Sequence, residues 1–199
     1  MNLYIYILVL LPSILIPSAS AAEKIVLIRH AEKSPLGLGQ LNCQGLNRAL
    51  ALPNILIKKF GNPSVIYTPN PSVRKKDQGQ LYNYIRPLAT IEPTAIRLGM
   101  SVNTEFGYDD IKSLKKALLN PINSNSVIYV VWEHHLLETM TREILASFGK
   151  NPKIVPQWNA SDFDSIYVIT IVDDGKSKKD VSFIKESEGL NNAQVSCPN

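Results

Sequence analysis

The chain has 199 residues, 45% hydrophobic and 19% charged, which suits one sizeable folded core and is not the composition of a disordered chain. Its formal net charge is +4, scattered rather than blocked. The two dense basic runs, residues 73–77 and 175–180, carry no interleaved aromatics; they read as solvated loops rather than a nucleic-acid groove, and the basic balance suits an anionic ligand.

Residues 1–22 contain no charged side chain and lead from an apolar run into Ala19-Ser20-Ala21-Ala22. That pattern predicts a secretory signal peptide cleaved near Ala21 or Ala22, and hence a periplasmic or secreted product with one domain over 23–199. Pro12 and Pro17 interrupt the apolar stretch, so a membrane anchor is expected only if the segment stays uncleaved. Cys43 and Cys197 are candidates for one disulfide tying the C-terminal tail to the first loop.

The apolar run at 24–28 predicts a strand buried on both faces. Loop follows over 34–42, then a helix over 43–60 closed by Gly61, with Pro53 expected to end or kink it. Residues 64–68 read as a second strand and 69–80 as a long loop of functional length. Residues 81–99 read as a helix broken near Pro87 or Pro93 and closed by Gly99. Asp109 and Asp110 open a helix over 108–120. The run 126–132 is a strand, 136–149 a helix, 165–172 a strand turned by 173–176, and 180–187 its hairpin partner. The tail from Glu188 is polar and irregular. Alternating strands and helices predict a three-layer α/β/α sandwich with a mostly parallel central sheet.

Two of the predicted strands end on histidines, "VLIRH" at His30 and "YVVWEHH" at His134 and His135, and these are the only histidines in the chain. Ligand sites in open α/β sheets lie beyond the carboxyl ends of strands. "LIRHAEK" resembles the RHG motif of the histidine phosphatase (phosphoglycerate mutase-like) superfamily. "GQLNCQGLNRALALPNIL", "VIYTPNPS", "RPLATIEPTAIRLG" and "VIYVVWEHH" follow in that family's order, with Arg86 and Thr90 in register with its R-A-x-x-T helix. Ala31 stands where the motif usually has Gly, and Glu133 where a small residue commonly precedes the second histidine.

The resemblance implies a phosphoglycerate mutase-like fold and a phosphatase acting on a phosphorylated small molecule, a phosphomonoester or phosphoanhydride, through a phosphohistidine on His30. The sequence has no H-x-x-x-H and no acidic cluster near the histidines, and this mechanism needs no metal and no cofactor. Arg29 and Arg86 would grip phosphoryl oxygens through forked donors, with Arg74 a runner-up for the role of Arg86. His134, chosen over His135 because it follows the strand directly, would stabilise the transferring group. Lys33, Arg74 and His135 are further candidates for substrate binding. Glu105, Asp109, Asp110 and Glu133 are candidates for the general acid, with Asp109 preferred although helix capping explains Asp109 and Asp110 equally well. For residues 158–169 a capped loop is preferred over a pocket wall. The alternative reading keeps the fold without the activity: a phosphate-binding or interaction module.

Overall fold

The computed structural model describes residues 21–173 and 179–198. The predicted signal segment therefore lies outside the described residues except for Ala21 and Ala22, as does most of the expected turn at 173–176. Seven strands and four helices follow in the order β1 (Ala21–Arg29), α1 (Cys43–Phe60), β2 (Val65–Tyr67), β3 (Arg74–Asp77), β4 (Gln80–Asn83), α2 (Arg86–Leu98), α3 (Ile111–Leu118), β5 (Val127–Trp132), α4 (His134–Ser147), β6 (Ser165–Asp173) and β7 (Asp180–Ser187).

Five strands form one sheet in the order β2-β5-β1-β6-β7. β1 and β2 each run parallel to β5, whereas β6 is antiparallel to both β1 and β7. Only β6 opposes the common direction, so the sheet is mixed but mostly parallel. β1 is its middle strand, and Ile25, Leu27 and Ile28 are fully buried there, as a doubly covered apolar run must be.

Alternation along β1 builds both cores. Ile25 and Leu27 face Leu114 and Leu118 of α3 and Leu137, Met140 and Ile144 of α4. Val26 and Ile28 face Leu52 and Leu56 of α1 and Ile91 and Ala95 of α2. The result is the predicted three-layer sandwich, with each fully buried Leu or Ile contributing roughly 1.5–3 kcal/mol of transfer free energy.

Three local expectations are corrected. Helix α1 runs unbroken through Pro53, and α2 through Pro93. The proline cost of about 3 kcal/mol is offset because both helices bury apolar faces against the sheet. Pro87 sits in the first turn of α2, where its missing N–H costs nothing. Residues 69–80 are not one long loop: β3 and β4 pair as an antiparallel hairpin, turned at Gln78 (φ 46°) and Gly79 (φ 85°). Two consecutive positive φ values are what a tight two-residue hairpin turn requires. Finally, α4 begins at His134, two residues before the predicted start. The Glu133 side chain caps it by accepting from Leu136 N.

The tail from Glu188 folds back over α1. Cys43, the first residue of α1, is disulfide-bonded to Cys197, with 4.5 Å between their Cα atoms. Asn47 Nδ2 donates to the carbonyls of Gln194 (2.8 Å) and Ser196 (2.7 Å). Among the described residues no helix is long and apolar enough to cross a membrane.

Candidate active site

The site is assembled by strand register. Arg29 at the end of β1 pairs with Trp132 at the end of β5, and His30 N donates to Trp132 O at 3.0 Å. Two parallel strands thus deliver Arg29-His30 and Glu133-His134 side by side at their carboxyl ends. Ala31 N donates to Thr90 Oγ1 (2.9 Å), which in turn donates to Arg86 O (2.8 Å). This relay fixes the first turn of α2, and so Arg86, against the backbone beyond His30. Gly45 lets α1 approach the same segment, since a Cβ there would lie 2.3 Å from Glu32 O.

His30 is buried, with Nδ1 2.8 Å from Ala31 O. A carbonyl only accepts, so that contact assigns the proton to Nδ1 and leaves the lone pair on Nε2. Burial, then the charges of Arg86 and Arg29, push its pKa well below the usual histidine value. The ring stands edge-on to Tyr84 at 6.0 Å and tilted to Phe163 at 6.3 Å.

Arg29 Nη1 donates to Ala160 O (2.7 Å) and Asp162 O (3.1 Å), and its Cζ sits 3.7 Å from the Phe163 ring centroid. Burial lowers its pKa to about 10, which still leaves it cationic at neutral pH. Arg86 is ion-paired with Asp77 and lies 5.1 Å from the Tyr84 ring. The Nε atoms of both arginines are buried without a hydrogen-bond partner.

His134 Nδ1 lies 2.8 Å from Glu133 Oε1, but neither ring nitrogen makes an aligned hydrogen bond. We read the contact as electrostatic proximity. Burial would raise the Glu133 pKa, but His134, the Leu136 N–H and Lys75 hold it at about 2. Glu133 is therefore a carboxylate across the ordinary pH range, unsuited to donating a proton. Arg29 and Arg86, whose charges bear on His30, each keep a buried donor without a partner, of the kind an oxyanion would engage.

The remaining sequence candidates are dispersed. His135 is exposed, its ring 4.0 Å from that of His134. It borders a concavity of about 310 Å³ with Gln157, Trp158, Asn159 and Ala160. Lys33 is largely exposed, with Nζ 3.9 Å from Asp77 Oδ1. Arg74 is exposed on the outer face of β3, and Glu105 and Asp109 are exposed. Asp110 caps α3, accepting from Ser113 N at 3.2 Å.

The 158–169 segment does more than cap. Asp162 Oδ1 caps it, accepting from Asp164 N (3.1 Å) and Ser165 N (3.0 Å), while its carbonyls hold Arg29 and its Phe163 ring packs on Arg29 and His30, so it is both a capped loop and a wall of the site.

The sequence reading missed Lys75 and Asp77, which β3 turns inward, and Tyr84 beneath Arg86. It also missed the partners of Arg48. That buried guanidinium binds Glu32 through Nη2 (2.7 Å), Asp164 through Nη1 (3.2 Å) and Glu188 through Nη1 (2.6 Å). Glu32 thus faces Arg48.

One set of potential metal ligands does gather at the histidines. Glu133, His134 and His135 bring potential ligand atoms within 4.8 Å of one another. The two rings lie nearly face to face, tilted by 35°. That stacking fits poorly with two ring nitrogens converging on one ion.

No family model matches the chain, and no curated protein matches it in sequence. Solved structures do match its fold. A mycobacterial glucosyl-3-phosphoglycerate phosphatase in complex with inorganic phosphate aligns with TM-score 0.53 at 12% identity, over 81% of this chain and 95% of that one. A protein described as a phosphohistidine phosphatase SixA from Nakamurella multipartitia aligns with TM-score 0.50 at 16% identity, over 83% of this chain and 95% of that one. A second SixA, from Agrobacterium tumefaciens, gives TM-score 0.50 at 14% identity, over 81% and 97%. The chain shares the α/β sandwich fold of these solved structures, the fold that the LIRHAEK segment led one to expect.

Proposed function

We propose that this protein is a histidine phosphatase that cleaves a phosphomonoester or phosphoanhydride through a phosphohistidine on His30. The observation that carries the reading is the His30 ring: Nδ1 is held by Ala31 O, Nε2 keeps its lone pair, and the charges of Arg29 and Arg86, each with a spare buried donor, bear on it. In this scheme Nε2 attacks phosphorus in line. Arg29, Arg86 and His134 bear the charge on the equatorial oxygens. Water then hydrolyses the phosphohistidine. None of these steps calls on a metal. The fold shared with the mycobacterial phosphatase and the two SixA structures supports the class of activity, not its substrate.

The charge-free segment 1–22 and the Cys43–Cys197 disulfide support a periplasmic or secreted location.

The test is hydrolysis of p-nitrophenyl phosphate by the purified protein, with and without EDTA, beside His30→Ala. Turnover that survives EDTA and vanishes in the variant is expected. Because His30 stays unprotonated well below the usual histidine range, the acid limb of kcat/KM is expected well below pH 6.5. A protein that binds phosphate but turns over no ester is instead the phosphate-binding module. That second reading is favoured by the carboxylates of Glu133 and Asp77 already seated on His134 and Arg86.

A further inference from the structure

The β3–β4 hairpin lies outside the central sheet, and strand alternation splits its charges. Arg74 and Lys76 are exposed, whereas Lys75 is half-buried and Asp77 buried. Lys75 Nζ lies 4.9 Å from the ring centroids of both Tyr84 and Tyr108. Tyr84 is the same ring that meets His30 edge-on and lies under Arg86. Three cationic or nucleophilic groups therefore share one aromatic side chain. Lys75 makes no ion pair with a carboxylate within 4 Å among the described residues, although Glu133, Asp77, Arg86 and Lys33 all bear on its charge.

The acids proposed from sequence do not fill the proton donor's role. Glu133 is held ionised at about 2, Glu105 and Asp109 are exposed, and Asp110 is engaged as a helix cap. Arg29, Arg86 and His134 all rise from the strand and helix ends that form the floor of the site. Lys75 comes from the hairpin, on the inward face it shares with Asp77, whose Oδ1 lies 3.9 Å from Nζ of the largely exposed Lys33, so this side of the site borders solvent.

Building on the phosphatase reading, we propose that Lys75 is the catalytic residue that protonates the leaving-group oxygen. As His30 Nε2 bonds to phosphorus, the bridging P–O bond breaks and its electron pair goes to the leaving oxygen. That oxygen takes a proton from the Lys75 ammonium. Water next attacks the phosphohistidine, the P–N electron pair returns to Nε2, and the water's proton restores the ammonium. Burial lowers the Lys75 pKa, which makes the ammonium a better acid than an exposed one. The two tyrosine faces hold it in place while it is charged.

The assignment makes Lys75 a specificity determinant for esters with poor leaving groups. The experiment compares kcat/KM on glycerol 2-phosphate, an alkyl ester whose alkoxide needs a proton, with that on p-nitrophenyl phosphate, whose phenolate needs little. The proteins are wild type, Lys75→Met and Lys75→Arg, each checked by thermal melting. Lys75→Met is expected to lose about 100-fold on the alkyl ester and less than about 5-fold on the aryl ester. Lys75→Arg keeps the charge but has no proton to give, and is expected to remain at least about 10-fold down on the alkyl ester. Equal losses on both esters, or full rescue by arginine, would show a phosphoryl grip instead and overturn the proposal. An active wild type with an indifferent Lys75→Met variant overturns it as well. A wild type that hydrolyses neither ester sinks the phosphatase reading, and this assignment with it.

Discussion

Glu188→Gln tests the buried charge cluster around Arg48. Glu32, Asp164 and Glu188 share that one guanidinium, and Arg48 and Glu188 are 1% and 3% exposed. Burial, followed by the neighbouring carboxylates against the pull of Arg48, raises the Glu188 pKa from 4.5 to about 8. Its Oε1 is buried with no partner, so no hydrogen bond offsets the cost of a charge there. A folded-state pKa above the unfolded one means that protonation favours folding. That contribution is fully present below about pH 4.5 and is lost as pH rises through about 8. At 1.36 kcal/mol per pKa unit, the wild type should lose at most about 5 kcal/mol across this window through Glu188 alone. Glutamine keeps the shape and never ionises, so the variant should match the wild type near pH 5 and exceed it in stability near pH 8. Urea melts of both proteins at pH 5, 6, 7 and 8 measure the difference directly. A gap that does not change with pH, or a variant less stable at every pH, would refute the argument. Either result would mean that Glu188 is ionised and that its contact with Arg48 outweighs its burial.

Two further outcomes are expected. Thr90→Val leaves the buried Ala31 N–H without its acceptor and frees Arg86 from the relay. It should cost about 1–3 kcal/mol in a denaturant melt and lower kcat/KM more than it lowers Tm would suggest. Replacing Cys43 and Cys197 with serine opens a loop closed over a separation of 154 residues. The chain-entropy treatment gives an upper figure of about 5 kcal/mol, to be read as the difference between wild type and variant in melts without reductant; equal stability of the two proteins would count against it.

The strands and helix ends that build the core were legible because they depend on local signals: apolar runs for β1, β5 and β6, and glycines in left-handed backbone after α1 and α2. The histidines were legible as site candidates because they close those strands. The hairpin was not. "RKKDQGQLYN" lacks an apolar alternation, and its charges suggest solvent; the one available signal was Gln78-Gly79, a pair suited to a two-residue turn. Lys75 and Asp77 therefore looked like any solvated basic run, since only tertiary placement separates them from Arg74 and Lys76. Arg48 was visible only as part of a helix opening, because its partners lie 16, 116 and 140 residues away. Pro53 misled for the opposite reason: a strong local rule gave way to packing across two layers.

The place of β1 in the sheet constrains how the chain acquires its fold. The earliest strand among the described residues is bordered on both edges by strands made more than a hundred residues later, as the pairs Lys24–Val127 and Ile25–Ile169 show. Its backbone donors, and the face carrying Ile25 and Leu27, stay unmatched until most of the polypeptide exists, although Val26 and Ile28 meet α1 earlier. Such long-range pairing raises contact order and slows folding. It also leaves an aggregation-prone segment exposed for the whole interval, the circumstance in which a nascent chain depends on being held by a chaperone.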